Sequence, residues 1–396
     1  MRSGNNRVSG AATGAGRRGR HSSVSCVLNE PCRSACRRPI PRLCHDGPMP
    51  STNWFERLVG FVEDDYESTR SRLSVEGHEL VSSANSARYG IGTLRTPSLA
   101  ELRATVSVPD HYRTTVACTV GDVGAMHGEP EFAGALFQVA SQFNLLEMAH
   151  YSVTPEDGVT RYANDHTQGP ACAIAAGAGT IYRNYFASVD GKSGQTADRQ
   201  LNMLERIGRS LSEHLGLPVS SLWRMENGYA LCTADGLTAI NEFLAAASAE
   251  VRDALAGEVA IGLHLDVEVT ETRGVQGQTV SQAYCSALPV AYSNVPQRHW
   301  EYFARLVLES AYEATVLAAV DVASMGGSNT VLLTRLGGGV FGNADEWIDA
   351  AIMRALRIVE RAGLDVRLVS YGGVHANMRA IAARWDSAGR DGAVAD

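Results

Sequence analysis

The sequence has almost no lysine: Lys192 stands alone beside 34 arginines in 396 residues. That bias reads as a GC-rich coding sequence rather than as chemistry. No apolar run approaches the ~18–20 residues needed to cross a bilayer, so neither a membrane protein nor a membrane partner is expected. There is no GxxxxGK[ST], which excludes a P-loop, and no GxSxG, which leaves a serine hydrolase without support. No cluster of His, Cys and acid has metal-ligand spacing, so neither a metal nor a required cofactor is expected. Cys26, Cys32, Cys36 and Cys44 contain no CxxC pair, a poor zinc signature. Cys118, Cys172, Cys232 and Cys285 sit in apolar contexts that suit reduced core thiols. The expectation is an intracellular, cytoplasmic protein without structural disulfides.

What is present is a globular composition, 45% hydrophobic and 20% charged, in a chain long enough for a substantial core. Charge is unevenly spread. Residues 1–48 carry nine arginines against Glu30 and Asp46, so the net charge of −8 conceals a more acidic body. An acidic body argues against nonspecific nucleic-acid binding. The stretch 1–48 is rich in Gly, Ser, Arg and Pro without periodicity; it reads as disordered and lacks the apolar core of a secretory signal. An over-extended gene start, with the chain beginning at Met49, is preferred to an organelle transit peptide. A helical extension is expected over 49–100, the main domain over 101–385 and a frayed tail over 386–396.

Trp54, Leu58, Phe61 and Val62 are spaced as one face of a helix from Asn53 to about Leu73, and Thr96-Pro97 opens a short second helix. Tyr112–Val120 and "ALFQVAS" predict strands. A long polar loop then leads into "ACAIAAGAGTIYRNYF", read as one helix whose "GAGT" serves close packing. Asn227-Gly228 marks a hairpin turn. From "VAIGLHLDVEV" onward strands and long helices succeed one another, which predicts α/β layers around a largely parallel sheet.

The junction "NTVLLTRLGGGVFGNADEW" concentrates glycine. "NTVLLTRL" has no polar/apolar alternation, as in a strand covered on both faces. Asn343 stands three before Glu346, a capping-box pattern, and Trp347, Ile348, Ala351, Ile352, Ala355 and Val359 share a helical face. Gly337, Gly338, Gly339 and Gly342 therefore lie at the carboxyl end of a strand and just before a helix. Open α/β sheets bind ligands there, and backbone N–H groups bared by missing side chains suit a diphosphate. Phe341 would pack on a sugar or base.

"LGGGVFGNADEWIDAAI" resembles the second phosphate loop of macro domains, which bind ADP-ribose, and "CTVGDVGAMH…ALFQVASQFNLLEM" is similar to that family's order of turn, strand and asparagine-bearing loop. The resemblance spans roughly residues 52–375. With "TPEDGVTRY", "DHTQGPACAI" and "CSALPVAY" it is strongest to the divergent MavL-like and poly(ADP-ribose) glycohydrolase-like hydrolases of the superfamily. It implies a three-layer α/β/α fold with a mixed, largely parallel sheet, ADP-ribose as ligand or product, and an ADP-ribosylated protein as partner. It places Gly337, Gly338, Gly339, Val340, Phe341, Gly342 and Asn343 around the diphosphate. Asp122, with Val123, matches the acid at the adenine amino group, and Asn144, with Gln142, the asparagine near the distal ribose. Thr167, Gln168, Gly169, Pro170 and Ala171 occupy the place of the first glycine-rich loop without its glycine triplet. The glutamate pair of typical glycohydrolases is absent.

Release of ADP-ribose from a side chain needs a carboxylate at the anomeric carbon, to activate water or steady an oxocarbenium-like transition state. The loop before the helix offers Asp165 first, then Glu156 and Asp157, acids that belong at the sugar end because a diphosphate would repel them. Glu147 reads as a structural partner of an arginine, and His127, His150 and His166 as loop residues. The leading expectation is an ADP-ribosyl hydrolase. The alternatives are a reader that binds ADP-ribose without cleaving it and a scaffold that binds nothing.

Overall fold

The structure, a computed structural model, describes residues 53–271 and 277–393. The arginine-rich stretch 1–48, its four cysteines and the candidate start Met49 lie outside them. The single helix expected over 53–73 is two: Trp54–Val59 (α1), ended by Gly60 at φ 80°, and Tyr66–Ser71 (α2), capped by Asp65. Leu73–Glu76 (β1), Glu79–Ser82 (β2) and Arg88–Gly90 (β3) then form a small antiparallel sheet, and Thr93–Arg95 (β4) joins the main sheet. The extension is thus not purely helical. The period-2 runs "LSVE" and "ELVS" carry that signal, and the helical reading upstream obscured it.

Leu99–Thr105 (α3) starts on a Ser98/Glu101 capping box; Thr115–Val120 (β5), Val123–Met126 (α4) and Leu136–Ala140 (β6) follow. Gln168–Ala175 (α5) and Gly177–Tyr185 (α6) replace one expected helix. The break at Ala176 is held by the Gly177 N–H donating to Thr270 Oγ1 at 2.8 Å. A Cβ on Gly177 would meet Trp54 at 2.8 Å, so this glycine does serve close packing. Ser188–Val189 (β7) and Lys192–Ser193 (β8) pair with each other. Glu205–Leu215 (α7), Val219–Leu222 (α8) and a hairpin of Trp223–Glu226 (β9) and Tyr229–Cys232 (β10) come next, turning at Asn227-Gly228.

Ala234–Ala246 (α9), Ala249–Gly257 (α10), Gly262–Glu268 (β11) and Thr279–Cys285 (β12) lead to the 24-residue Glu301–Ser324 (α11). Thr330–Leu333 (β13), Asp345–Ile358 (α12), Asp365–Ser370 (β14) and Ala376–Ala393 (α13) finish the chain. The expected frayed tail is helical as far as Ala393.

The main sheet has the order β4-β11-β12-β6-β13-β14-β5. Strands β12, β6, β13, β14 and β5 run parallel, and β11 is antiparallel to both its neighbours. Successive strand residues face opposite ways. Phe137 stacks on His127, at the end of α4, with ring centroids 3.8 Å apart, whereas Gln138 donates to Thr315 of α11 at 3.0 Å. Helices therefore cover both faces, a three-layer α/β/α arrangement with a mixed, largely parallel sheet. His127, expected in a loop, is wholly buried; burial lowers its pKa to about 4. The four described cysteines are free thiols, and no described helix is long and apolar enough to cross a membrane.

Candidate functional site

The five parallel strands end on one edge, and the loops that leave them enclose a cleft of two joined lobes. The larger lobe, about 550 Å³, runs from Gly121–Ala125 after β5 past Asp165–Gln168 and Ala171 to Tyr371 after β14. The smaller, about 360 Å³, lies over the ends of β6, β12 and β13 and is closed by Tyr229, Tyr292 and Phe341. Asp165, Thr167, Gln168 and Thr334 line both. Each lobe falls within the ~300–1,000 Å³ of small-molecule sites.

In the loop between β13 and α12, Leu336 N–H donates to Tyr312 Oη of α11, Gly338 N–H to Arg335 O, Gly342 N–H to Gly339 O and Asn343 N–H to Gly337 O. The N–H groups of Gly337, Gly339, Val340 and Phe341 have no acceptor among the described residues. Unpaired donors are costly unless water or a ligand meets them. The glycines divide the labour. Gly337 and Gly342 take φ 69° and 70°, and a Cβ on Gly337 would strike Asn343 Nδ2 and Ala287. A Cβ on Gly338 would turn toward Ile348 of α12 rather than the cleft, whereas Gly339 is open. The capping box expected at Asn343 is corrected: Ala344 is the N-cap, and Asn343 is buried with Nδ2 donating to Leu288 O at 2.9 Å.

Opposite stands the N-terminus of α5. Gln168 and Gly169 N–H groups are likewise unpaired among the described residues, while Thr167 N–H donates to Asp165 Oδ1 at 2.9 Å. The Gln168 side chain, expected at a ligand, is committed to strand β6: Oε1 accepts from Ala140 N–H and Nε2 donates to Gln138 O, both at 2.8 Å. A Cβ on Gly169 would collide with Ala140 O and Glu147 Oε2, so close approach demands glycine there. Pro170 lines the smaller lobe and Ala171 the larger.

Asp122 lines the larger lobe with Val123; its Oδ1 caps α4 by accepting from Gly124 N–H at 2.9 Å. Gln142 lines the smaller lobe with its Oε1 held by Met148 N–H. Asn144 is displaced from the expected role. It is fully buried, with Nδ2 on Gln200 Oε1 and Oδ1 on Leu146 N–H, and lines neither lobe. Of the three acids expected to do chemistry, only Asp165 reaches the cleft. Glu156 is exposed with both carboxylate oxygens on Ala197 N–H, and Asp157 caps its own turn and pairs with Arg161.

The residue that sequence reasoning underrated is Glu147. It lines the smaller lobe, is 5% exposed, and its Oε1 has no hydrogen-bond partner among the described residues. The expected ion pair is not formed with any described arginine. Arg183 is buried on Leu145 O, Thr180 Oγ1 and His264 Nδ1, over the ring of Tyr284. Burial raises the Glu147 pKa to about 8, the charge of Arg183 opposes the rise, and the charge of Asp165 adds to it. A lone acid within the apolar "FNLLEM" was the available signal. Tyr371, 85% exposed at the rim of the larger lobe, was also missed, as were Tyr229 and Tyr292, which cluster with the expected Phe341 at centroid distances of 5.4–5.6 Å.

No protein-family model and no curated protein matches the chain. Among solved structures it is similar to the poly(ADP-ribose) glycohydrolase of Thermomonospora curvata, with TM-score 0.39, 12% identity, and 81% of this chain and 95% of that one covered. It is also similar to the Deinococcus radiodurans glycohydrolase in complex with ADP-ribose, with TM-score 0.36, 13% identity, and coverage of 74% and 94%. An Oceanobacillus iheyensis macrodomain with MES bound matches with TM-score 0.32, 9% identity, and coverage of 76% and 99%. At such distances the function must be argued from this chain's own residues.

Proposed function

We propose that the chain is an ADP-ribosyl hydrolase, releasing ADP-ribose from modified protein side chains. The observation that carries the reading is Glu147: a buried carboxyl with an unpartnered oxygen, in the same lobe as Asp165 and between two edges of free backbone N–H groups. The diphosphate would lie between the Gly337–Phe341 loop and the start of α5, whose dipole favours an anion. The adenosine end would occupy the larger lobe, with Asp122 Oδ2 at the amino group and Tyr371 against the base. The distal ribose would sit in the smaller lobe, against the aromatic wall.

Two carboxyls in unlike surroundings suit divided roles. Glu147, its proton held by burial, donates to the departing side-chain atom as the anomeric bond breaks. Asp165, at the mouth, orients the attacking water and takes up its proton. The acid must be protonated to act, so turnover should fall as pH rises through about 8. One feature favours a binding-only module: Glu147 lies deep enough that water reaches it poorly.

Incubation of the full chain with a mono-ADP-ribosylated protein, with free ADP-ribose measured, separates the two readings. Hydrolysis predicts release by the wild type and its loss in Glu147→Gln and Asp165→Asn. Wild-type release rates in both variants would sink the mechanism, and calorimetric binding without release would leave a reader.

A further inference from the structure

We infer that Glu63, on the N-terminal segment between α1 and α2, is a positioning residue for the cleft: its carboxylate holds the turn on which both Asp165 and Glu147 depend. Glu63 lines neither lobe. Its Oε1 accepts from Val159 N–H at 2.9 Å and from Tyr185 Oη–H at 2.7 Å, and its Oε2 from Thr160 N–H at 2.6 Å. Trp54 Nε1–H of α1 donates to Thr160 O at 3.3 Å. These bonds fall at the start of the short 3₁₀ helix Thr160–Asn164, where leading N–H groups have no partner within the turn. Gly158, at φ 78°, brings the backbone so near that a Cβ would meet the Glu63 carboxylate.

Two links run from that turn to the cleft. Tyr162, within it and buried, accepts from Glu147 N–H through Oη at 3.1 Å. Asp165, just past it, donates its own N–H to Tyr162 O at 3.1 Å. One carboxylate on the N-terminal segment thus fixes a single turn of backbone, and that turn sets the places of both acids. The rest of the loop is fastened elsewhere: Pro155 O accepts from Asn184 Nδ2 at 3.1 Å, and Glu156 holds Ala197 N–H. Among the described residues, Glu63 is the one carboxylate that holds the half leading to Asp165, with Trp54 adding a single longer bond to Thr160 O. A shift of about 1 Å in a reacting group costs on the order of a hundredfold in rate, so the grip bears on turnover more than on binding.

The kinetic half of this inference rests on the hydrolase reading; the placement half does not. The test compares full-chain Glu63→Ala and Glu63→Gln with Glu268→Ala, a control that removes the acceptor of Gly90 N–H (2.7 Å) between β3 and β11. Hydrogen exchange by mass spectrometry should speed up in peptides covering 158–165 in Glu63→Ala, less in Glu63→Gln, and not in Glu268→Ala. Glu63→Gln keeps the shape and one acceptor, so it is the second variant that reads the claim if Glu63→Ala does not fold. Release of ADP-ribose should show kcat down about ten- to hundredfold in Glu63→Ala, with KM within about threefold and partial rescue in Glu63→Gln. Wild-type exchange across 158–165 in both Glu63 variants would overturn the inference. So would an equal fall in kcat in the Glu268→Ala control. If the wild type releases no ADP-ribose, the hydrolase reading fails and exchange alone decides the placement of the turn.

Discussion

The loop between β13 and α12 works through its backbone, and the loop between β6 and α5 through its side chains. In the first, Gly337 and Gly342 bend the chain into left-handed conformations and leave four N–H groups bare, with no charged group among residues 336–343. In the second, Glu156 and Asp157 tie the loop down, Asp165 turns inward, and Glu147 is drawn under Gly169. The contrast suits the proposed ligand, anionic at its middle and reacting at one end: bare donors would meet the charge, and carboxyls would stay near the bond to be broken.

The largest effect that would test this contrast lies at Glu147. Glu147→Gln should lower the single-turnover rate of ADP-ribose release by about 10²–10⁴-fold, the range for a general acid, while calorimetric affinity for ADP-ribose changes little. Next come the glycines, where one loop should respond in two ways. Gly337→Val forces a β-branched residue into φ 69° against Asn343 and Ala287, so melting temperature and binding should fall together, with strain of about 1–3 kcal/mol. Gly339→Val meets nothing within 4 Å, so it should weaken ADP-ribose binding about tenfold at an unchanged melting temperature. Equal affinity in Gly339→Val and wild type would remove the phosphate role from this loop.

Stability against pH gives a third signal. The Glu147 pKa is raised in the folded chain, so between its unfolded value near 4.5 and about 8 the native state keeps a proton that the unfolded state has lost. Its contribution is greatest below the unfolded value and is lost as pH rises through that window, by at most about 1.4 kcal/mol per pH unit. Urea melts of Glu147→Gln should lack this slope. The smallest effects belong to the outward acids: Glu156→Gln and Asp157→Asn should leave release within about twofold and cost under about 1 kcal/mol in denaturant melts.

The backbone-based loop was the legible one, and the reason is physical. A buried strand, a glycine run and a helix start are all written locally, so "NTVLLTRLGGGVFGNADEW" fixed the junction even though Asn343 proved to be buried rather than a cap. The alternation of strands and helices was legible for the same reason. Glu147 was not, because its chemistry comes from desolvation supplied by β6, α5 and the Tyr229 hairpin, which meet only in the fold. Asn144 misled in the opposite way: a loop position beside the cleft is filled by a side chain that Gln200 and Leu146 consume. Glu63 stands nearly a hundred residues from the turn it grips, and no local pattern announces it.

Gln168 also joins two elements of the cleft. Its amide bridges Gln138 O and Ala140 N–H as a neighbouring strand would, so the first residue of α5 is stitched to the end of β6. Strand end and helix tip are thereby joined by two side-chain bonds, which would tie the floor of the cleft to the sheet. Closure around a ligand, and the slow step of its escape, would fall to the opposite rim, where Val340 and Tyr371 stand in solvent.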